Sequence, residues 1–468
     1  MEMNVSKQAL GGTMSSINNN EQTTRKWFHF PKRHIQIAML FLFYFTIFIL
    51  RTNLSVAIVP MTDKNSSNVD FDEFDWNEKE KSALLSSFFW GYLVIQAPAG
   101  LLGQHFSPKL LLLFTNVIST ILAFLTPMAA YTGGWKLLCA IRASQGLCQG
   151  FALPMLYKLA SMWSPPHERN RFIGYSLNGA TLGAATALPL CGLLAESAGG
   201  WPSIFYVSSG LGLIWSIGWY ILGADSPSKH PTITAEEKEK IETALQHCDE
   251  KKGLKTPWKE MFTSAPFWAL IFAHLSAGWG LTIVLVETPS FMNAILKFNV
   301  GTSSVLSSIP FYTLWLATYP VCWFADYVEK NGILTKNVAR KLWSTLYLSG
   351  GATSLVLLGF VGESIVAVML TLTLCVTFSS FIFTGFIMNH LDLAPNYAGV
   401  LIGIANGLEN ITMILAPLSV GFIVDNTKSI EQWRWVFIIS AIVSYVGNII
   451  FVIFGSTKLQ HWNTPKEN

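Results

Sequence analysis

The chain has 468 residues, of which 51% are hydrophobic and only 13% are charged. A typical soluble domain carries about 25% charged residues, so this composition cannot cover the surface of a soluble protein of this length. The formal net charge of +3 is small and implies no acidic partner such as nucleic acid. Lipid is therefore the expected solvent for most of the chain.

The N-terminal segment, residues 1–33, is polar and has no apolar stretch before His34. A cleavable signal peptide requires such a stretch, so none is predicted there. The first membrane-spanning segment is expected to target the chain to the membrane itself.

Twelve apolar runs, which we call spans 1 to 12, are long enough to cross a hydrocarbon core as helices, which takes about 20 residues each. They cover residues 34–60, 82–105, 108–131, 135–163, 171–196, 201–223, 264–295, 302–327, 341–361, 363–391, 397–425 and 432–456. Six precede and six follow one polar segment. The sequence therefore predicts an all-α polytopic membrane protein with twelve transmembrane helices in two six-helix bundles.

The polar segment also predicts the domain boundaries. We expect a cytoplasmic N-terminal segment, an N-terminal bundle, a cytoplasmic linker, a C-terminal bundle and a cytoplasmic tail at residues 1–33, 34–223, 224–263, 264–456 and 457–468. Lys and Arg are concentrated in the short loops on the side of the termini, which is typical of cytoplasmic loops.

The loop after span 1 is predicted to face the lumen or the exterior. It contains the sequon Asn65-Ser66-Ser67. An exposed sequon accepts an N-linked glycan, so Asn65 is a predicted glycosylation site. The same pattern at Asn53 and Asn410 lies within predicted spans, where no glycan is expected.

Two arginines within the spans are the strongest candidates for a ligand site. An ionisable side chain at the centre of a membrane helix costs about 2.5–3.5 kcal/mol on insertion scales and needs a partner, a cavity or a function. Arg51 and Arg142 are expected at similar depth, and the first half offers no acidic residue there. Two protonated guanidinium groups suit the oxygens of a carboxylate or phosphate. The alternative is structural pairing with backbone carbonyls or with carboxylates of the second half.

Span 4 carries further polar residues beside Arg142. A spacing of three and four residues places Gln145 and Gln149 on the same helix face as Arg142. Glutamine can hydrogen-bond a ligand but cannot carry a proton. Gly146 and Gly150 form a pair of small residues four positions apart, which predicts close helix packing.

Two titratable residues of the second half are candidates for coupling. Glu409, near the middle of span 11, could bind a cation or titrate as substrate moves. Its alternatives are a carboxylate held neutral or paired with an arginine of the other half. His274 in span 7 could titrate near neutral pH, although a lone histidine among apolar residues is more often a packing residue.

No motif of an enzyme or metal site is present in the sequence. Five of the six cysteines lie in apolar runs without metal-type spacing, and there is no Ser-His-Asp motif context and no glycine-rich phosphate loop. We therefore predict neither catalysis nor a bound metal, and Na⁺ enters only as a possible coupling ion.

Five segments spread over both halves resemble a known family. They are RTNLSVA at 51–57, SFFWGY at 87–92, WSPPHER at 163–169, WPSIFY at 201–206 and NHLDLAP at 389–395. They resemble the major facilitator family of sialin, vesicular glutamate transporters and type I sodium-phosphate cotransporters. The resemblance implies a twelve-helix fold, a central cavity open alternately to each side, and anions held by the arginines matching Arg51 and Arg142. Tyr92 matches a cavity tyrosine of that family.

The departures from the family pattern bear on mechanism. Proton-coupled members carry glutamate at the position of Gln149, and sialin-like members also at Gln145, whereas the sodium-phosphate type has glutamine at both. Span 4 is therefore closest to the sodium-phosphate type, which argues against a proton site there. The glutamate transporters carry an arginine where this chain has Ala277, which argues against glutamate as substrate.

The sequence thus predicts a secondary transporter of small anions of the phosphate, urate or carboxylate class, driven by sodium or membrane potential. The alternatives are a proton-coupled organic-anion symporter using Glu409 or His274, and an anion channel or substrate sensor on a transporter scaffold. A monomer in the plasma membrane or in a vesicular or lysosomal membrane is expected.

Overall fold

The structure is a computed structural model of the chain. It describes residues 31–62, 71–245, 256–284, 300–362, 364–424 and 429–463. Within these ranges the chain forms helices joined by short connections, with no strand. Asn65 lies outside the described residues, so its predicted glycosylation stays a prediction.

Seven helices make up the N-terminal half. They are α1 (Lys32–Thr62), α2 (Glu78–His105), α3 (Pro108–Phe124), α4 (Thr126–Gln149), α5 (Ala152–Trp163), α6 (Arg169–Glu196) and α7 (Gly200–Leu222). Gly134 within α4 has φ 56° and ψ −154°, a backbone conformation that residues other than glycine rarely adopt. It lies between predicted spans 3 and 4.

The linker and the C-terminal half contain the remaining helices. They are α8 (Ala235–Leu245), α9 (Trp258–Phe262), α10 (Ala265–Thr282), α11 (Val300–Lys330), α12 (Lys336–Thr345), α13 (Gly351–Leu358), α14 (Ile365–Phe378), α15 (Asn389–Leu393), α16 (Ala398–Ile423) and α17 (Ile430–Phe454). Each of the twelve predicted spans overlaps at least one of these helices, and residues 285–295 of span 7, 363 of span 10 and 425 of span 11 lie outside the description.

Several predicted spans are not single helices. In the described residues, seven helices are long and apolar enough to cross a membrane alone, and one pair bent by 77° raises the number to eight. Span 4 breaks between α4 and α5, and span 9 contains a π-helical turn at Leu346–Gly350. Apolar runs predict span length well but carry no signal for such breaks.

Small residues allow close packing within the N-terminal half. α6 lies against α1, and a Cβ atom at Gly179 or Gly183 would overlap the carbonyl oxygen of Phe41 or Phe45. Lipid provides no hydrophobic drive between helices, so close backbone approach at small residues is a main source of packing energy.

The two halves meet along α2, α5 and α6 on one side and α11 and α16 on the other. We call the end of the molecule at which α1 begins and α17 ends the termini face. Gly100 and Gly399 lie in contact near this face, and a Cβ atom at Gly100 would overlap the backbone of Gly399. The halves are therefore tightly packed at the termini face.

The linker helix α8 docks on the start of α1. The Glu237 carboxylate accepts hydrogen bonds from the backbone N–H groups of Lys32 at 2.9 Å and Arg33 at 3.1 Å. These donors have no partner within α1, and a negative charge there also favours the helix dipole. Ile241 of α8 is fully buried. The linker thus forms part of the folded termini face.

Candidate anion-binding site

The crossing of α2 and α4 positions the site. A Cβ atom at Gly91 would overlap the carbonyl oxygen of Ala143, and one at Gly146 would overlap that of Phe88. Gly150 likewise lies against α2. The close packing predicted for Gly146 and Gly150 is confirmed, and it brings the aromatic side chains of α2 beside the arginines.

Arg142 is buried and has only neutral hydrogen-bond acceptors. Its guanidinium donates to the backbone carbonyls of Leu50 at 3.3 Å and Arg51 at 2.8 Å. It also donates to the side-chain oxygens of Gln145 at 3.1 Å and Asn53 at 3.4 Å, and among the described residues its Nε has no partner. The carbonyl contacts are those of the structural alternative, but they leave the positive charge uncompensated.

The Arg51 side chain lies among aromatic rings. Its guanidinium carbon is 4.8 Å from the ring centre of Tyr92, 4.9 Å from Phe88, 5.1 Å from Phe89 and 5.5 Å from Phe48. Ring faces attract a cation without neutralising it. Arg51 is only partly buried, so its charge can still reach a ligand.

The two arginines share one ring. The guanidinium of Arg142 is 5.5 Å from the Phe88 ring centre, against 4.9 Å for Arg51. None of the ion pairs in the described part of the chain includes either arginine. The structure therefore brings two predicted site residues together as adjacent positive charges that have no carboxylate partner in the described residues.

The two glutamines of span 4 are bonded within the N-terminal half. The side-chain amides of Gln145 and Gln149 donate to the backbone carbonyl and the hydroxyl of Ser119, at 3.4 Å and 3.3 Å. Gln145 also holds Arg142 through its side-chain oxygen. Gln145 thus orients the arginine, whereas Gln149 lies two turns further along α4 and is bonded to Ser119.

Tyr92 connects the arginine site to the other half. Its ring lies against Arg51, and its hydroxyl accepts a 3.1 Å hydrogen bond from the side-chain amide of Asn406 on α16. A second hydrogen bond, 2.6 Å long, joins the Asn410 amide to the Asn406 carbonyl one turn further along α16.

The two coupling candidates of the second half form a pair. His274 Nδ1 on α10 lies 2.8 Å from Glu409 Oε2 on α16. The side chain of Glu409 sits over Gly278, where a Cβ atom would lie 2.5 Å from the Glu409 Cγ. The alternative that Glu409 pairs with an arginine of the first half is therefore wrong for the conformation described, since its partner is His274.

A hydrogen-bonded cluster at the termini face joins the halves. Asp326 of α11 accepts from Arg171 Nε at 2.6 Å and from the Asn170 amide at 2.7 Å. Arg340 donates to Asn170 at 3.0 Å and to Asp392 at 2.9 Å. We call these five residues the termini-face cluster. The sequence analysis missed it, although charged residues at the ends of spans 5, 8 and 10 were a usable signal.

Residues 40–417 match the family model of the Major Facilitator Superfamily. The chain belongs to this superfamily. Solved structures agree with the predicted fold: a major facilitator transporter in an outward conformation aligns with a TM-score of 0.63 at 12% identity, covering 89% of this chain and 99% of that one. A proton:xylose symporter aligns with a TM-score of 0.68 at 14% identity, over 90% and 96% of the two chains. The fold class is confirmed.

Relatives within the superfamily confirm the resemblance seen in the sequence. A Drosophila melanogaster protein named "Putative inorganic phosphate cotransporter" is 34% identical over 463 residues, covering 94% of this chain and 88% of the relative. Vesicular glutamate transporter 3 of Danio rerio is 34% identical, covering 94% and 75%, and human vesicular glutamate transporter 2 is 33% identical, covering 94% and 77%. This major facilitator is thus a multi-pass membrane protein of the anion:cation symporter family, whose relatives are named as transporters.

In this major facilitator the two sets of candidate residues lie in different halves. Arg51 and Arg142 belong to the N-terminal half, and the His274–Glu409 pair belongs to the C-terminal half. The hydrogen bond between Tyr92 and Asn406 crosses the boundary between them.

Proposed function

We propose that the protein is a secondary transporter that moves small organic or inorganic anions across a membrane by alternating access. The observation that carries this proposal is the adjacent pair Arg51 and Arg142, which share the Phe88 ring and have no carboxylate partner in the described residues. Uncompensated charge away from water costs free energy, and a bound anion offsets that cost.

The names of the relatives support the same class of substrate. One is named for inorganic phosphate and two for glutamate, and each of these substrates carries negative charge. Ala277 is an apolar side chain on α10 and adds no third positive charge to the site. We therefore propose a phosphate, urate or carboxylate substrate other than glutamate.

Individual residues are proposed to act as follows. Arg51 and Arg142 bind the negative groups, with Gln145 orienting Arg142 through its side-chain oxygen. Gln149 is proposed to offer its amide to the anion, and Tyr92, whose ring lies beside Arg51, is proposed to line the anion cavity. The planar guanidinium fork matches the paired oxygens of a carboxylate or phosphate.

We also propose an orientation. The loops of the termini face are rich in Lys and Arg, which favours a cytoplasmic position for both termini. The termini-face cluster and the Gly100–Gly399 contact close the path between the halves on that side. The anion site in this conformation would then open toward the exterior or lumen, and rocking of the halves would expose it to the cytoplasm. The proposed unit is a monomer in the plasma membrane or a vesicular or lysosomal membrane.

The driving gradient is a separate part of the proposal. Membrane potential supplies about 2.3 kcal/mol per charge per 100 mV. This exceeds the free energy needed for a tenfold concentration gradient of a monovalent anion, so no coupling ion is required. Sodium is the second proposed drive. The His274–Glu409 pair is the specific observation that favours the proton-coupled alternative.

The test is uptake into proteoliposomes of four labelled probes: phosphate, urate, sialate and succinate. Sodium, proton and voltage gradients are imposed separately on the wild type and on Arg51→Ala and Arg142→Ala. We expect saturable uptake of at least one probe, stimulated by the same anion inside, and loss of that uptake in both variants. Arg434→Ala is the matched control, because Arg434 lies on α17 beside Phe360, away from the site.

Three results would contradict the proposal. If Arg142→Ala takes up the probe at the wild-type rate, the arginine pair does not bind the transported anion. Flux that neither saturates nor responds to anion inside would indicate a channel. Binding of a probe without any uptake would indicate a sensor.

A further inference from the structure

We infer that His274 and Glu409 form one proton-binding site in the C-terminal half, and that its proton and the anion at Arg51 and Arg142 are transported together. This inference rests on the proposed anion transport. The coupling group then lies on α10 and α16, whereas the proton-coupled members of the family that this chain resembles carry a glutamate on span 4.

The pair has the geometry of a shared proton. His274 Nδ1 and Glu409 Oε2 are 2.8 Å apart, and the two side chains are 2% and 12% exposed. Both residues lie near the middle of their helices, away from either end. At this distance one proton lies between the ring nitrogen and the carboxylate, whichever of the two carries it.

A second histidine borders the pair. The His274 ring packs at 5.0 Å from that of His390 and at 4.8 Å from Phe386. His390 donates from Nδ1 to the Ile387 carbonyl at 2.9 Å, so its Nε2 is the free acceptor. The Nε2 atoms of both histidines are buried and have no partner among the described residues. The pair therefore has an adjacent polar group through which a proton can arrive or leave.

Among the residues that the structure describes, the other titratable groups around the pair are tyrosines and a separate ion pair. Tyr157 of α5 packs at 5.5 Å from His390, and Tyr347 packs against the Phe386 ring. Asp392 lies two residues beyond His390, but its carboxylate is bound by Arg340 at 2.9 Å and Lys336 at 2.5 Å. Within the described residues, Glu409 has no recorded ion-pair partner other than His274.

The charge of the pair determines how it acts on the anion site. With the titrating proton bound, the pair is neutral overall, either as Glu-H with a neutral histidine protonated at Nε2 or as carboxylate with imidazolium; without it, the neutral histidine donates from Nδ1 to the carboxylate. Loss of the proton leaves one negative charge in the C-terminal half. That charge lies across the boundary between the halves from Arg51 and Arg142 and repels an anion bound there. Proton binding therefore strengthens anion binding, and by linkage anion binding strengthens proton binding.

A physical connection joins the two sites. Asn406 lies three residues before Glu409 on α16, which places both on neighbouring positions of the helix surface. Its amide donates to the Tyr92 hydroxyl at 3.1 Å, and the Tyr92 ring lies 4.8 Å from the Arg51 guanidinium carbon. A change in charge at Glu409 and a change in occupancy at Arg51 thus both act on the contact between α2 and α16.

The transport step balances with one proton and one anion. Both bind from one side, the halves rock, and both leave on the other side, so that a monovalent anion moves with no net charge. At zero voltage, a gradient of one pH unit then supports about tenfold accumulation of that anion. Without the proton, the same anion would carry one negative charge across the membrane and would respond to voltage.

The experiment uses the full chain in proteoliposomes and the four probes named above. Counterflow, the exchange of labelled probe for the same unlabelled anion inside, is measured first without a proton, sodium or voltage gradient. Accumulation of the probe under a proton gradient at zero voltage is measured next. We expect Glu409→Gln to retain counterflow within about threefold of wild type and to lose proton-driven accumulation, because a neutral amide mimics the protonated state. Glu409→Asp keeps a carboxylate and is expected to retain part of the proton drive. Glu196→Gln, an exposed glutamate at the end of α6, is the control.

The outcomes separate the two proposals. Absence of counterflow for all four probes in the wild type overturns the proposed transport and the proton site with it. Wild-type counterflow together with accumulation that follows sodium or voltage and ignores the proton gradient overturns the proton site alone. If Glu409→Gln fails to fold, His274→Gln and the pH dependence of probe binding to the wild type decide the question. Probe binding that is independent of pH, or proton-driven accumulation by either glutamine variant, overturns the inference.

Discussion

The hydroxyl of Tyr92 accepts a 3.1 Å hydrogen bond from the side-chain amide of Asn406, 314 residues further along the chain. This contact joins α2 of the first half to α16 of the second, beside Arg51 of the proposed anion site. On the side of the termini face, the halves are held by the Gly100–Gly399 contact and the termini-face cluster. We therefore expect the Tyr92–Asn406 contact to respond both to anion binding and to movement of the halves.

Tyr92→Phe removes this hydrogen bond and keeps the ring beside Arg51. A hydrogen bond contributes about 0.5–1.5 kcal/mol net. We therefore expect the ratio of the outward-open to the inward-open conformation to change by roughly two- to tenfold. Probe affinity at saturating proton concentration should change little. The measurement is the pH dependence of apparent affinity, which we expect to be flatter. Tyr220→Phe alters an exposed ring and should show the wild-type pH dependence. If apparent affinity in Tyr92→Phe depends on pH as steeply as in the wild type, the Tyr92–Asn406 contact does not couple the two sites.

Arg142→Lys keeps the charge of the site but loses the planar fork. The guanidinium reaches two backbone carbonyls of α1, at Leu50 and Arg51, from two different nitrogens. A lysine ammonium offers one point charge and cannot hold both contacts in the same geometry. We expect counterflow to fall at least about tenfold, measured at equal amounts of reconstituted protein. Arg434→Lys is the control, and equal losses in both variants would mean that the effect is not specific to the site.

Gly146→Ala tests the crossing of α2 and α4. The added methyl group would overlap the carbonyl oxygen of Phe88, so the two helices must separate. Overpacking of this kind costs about 1–3 kcal/mol, and we expect a lower midpoint of thermal unfolding in detergent. Gly210→Ala on α7 is the matched control because a Cβ atom there has open space. Helix propensity favours alanine by up to about 1 kcal/mol, so the control should be neutral or more stable.

Asp326→Asn weakens the closure of the termini face. Asp326 accepts hydrogen bonds from Asn170 and Arg171 across the halves, and bonds to a charged group contribute about 1.5–3 kcal/mol. Cys322 is fully buried on the same helix, against Gly174 of the other half, and can report the opening. We expect maleimide to label Cys322 at least about tenfold faster than in the wild type, as located by peptide mass spectrometry. The exposed residue Asp72 provides the control Asp72→Asn, and unchanged labelling in Asp326→Asn would show that the cluster does not hold the halves together.

Much of the fold could be read from the sequence because lipid leaves few alternatives. The backbone must satisfy its hydrogen bonds internally in a membrane, so an apolar run of sufficient length predicts a helix without further information. The spacing of Gly146 and Gly150 predicted close packing for the same local reason, since residues four apart share a helix face. Arg51 and Arg142 stood out because charged residues are rare in such runs.

The tertiary structure alone decided which of these residues meet. His274 and Glu409 are 135 residues apart, and their contact depends on the rotation of α10 and α16 about their axes and on Gly278 leaving room for the carboxylate. The breaks between α4 and α5 and at Leu346–Gly350 likewise have no counterpart in hydropathy. Apolar length and spacing therefore determined the helices and the rare charges within them. The pairing of the coupling candidates, the carbonyl partners of Arg142 and the closure of the termini face arose from the crossing of helices distant in sequence, because local periodicity carries no information about which helices cross or how they are rotated.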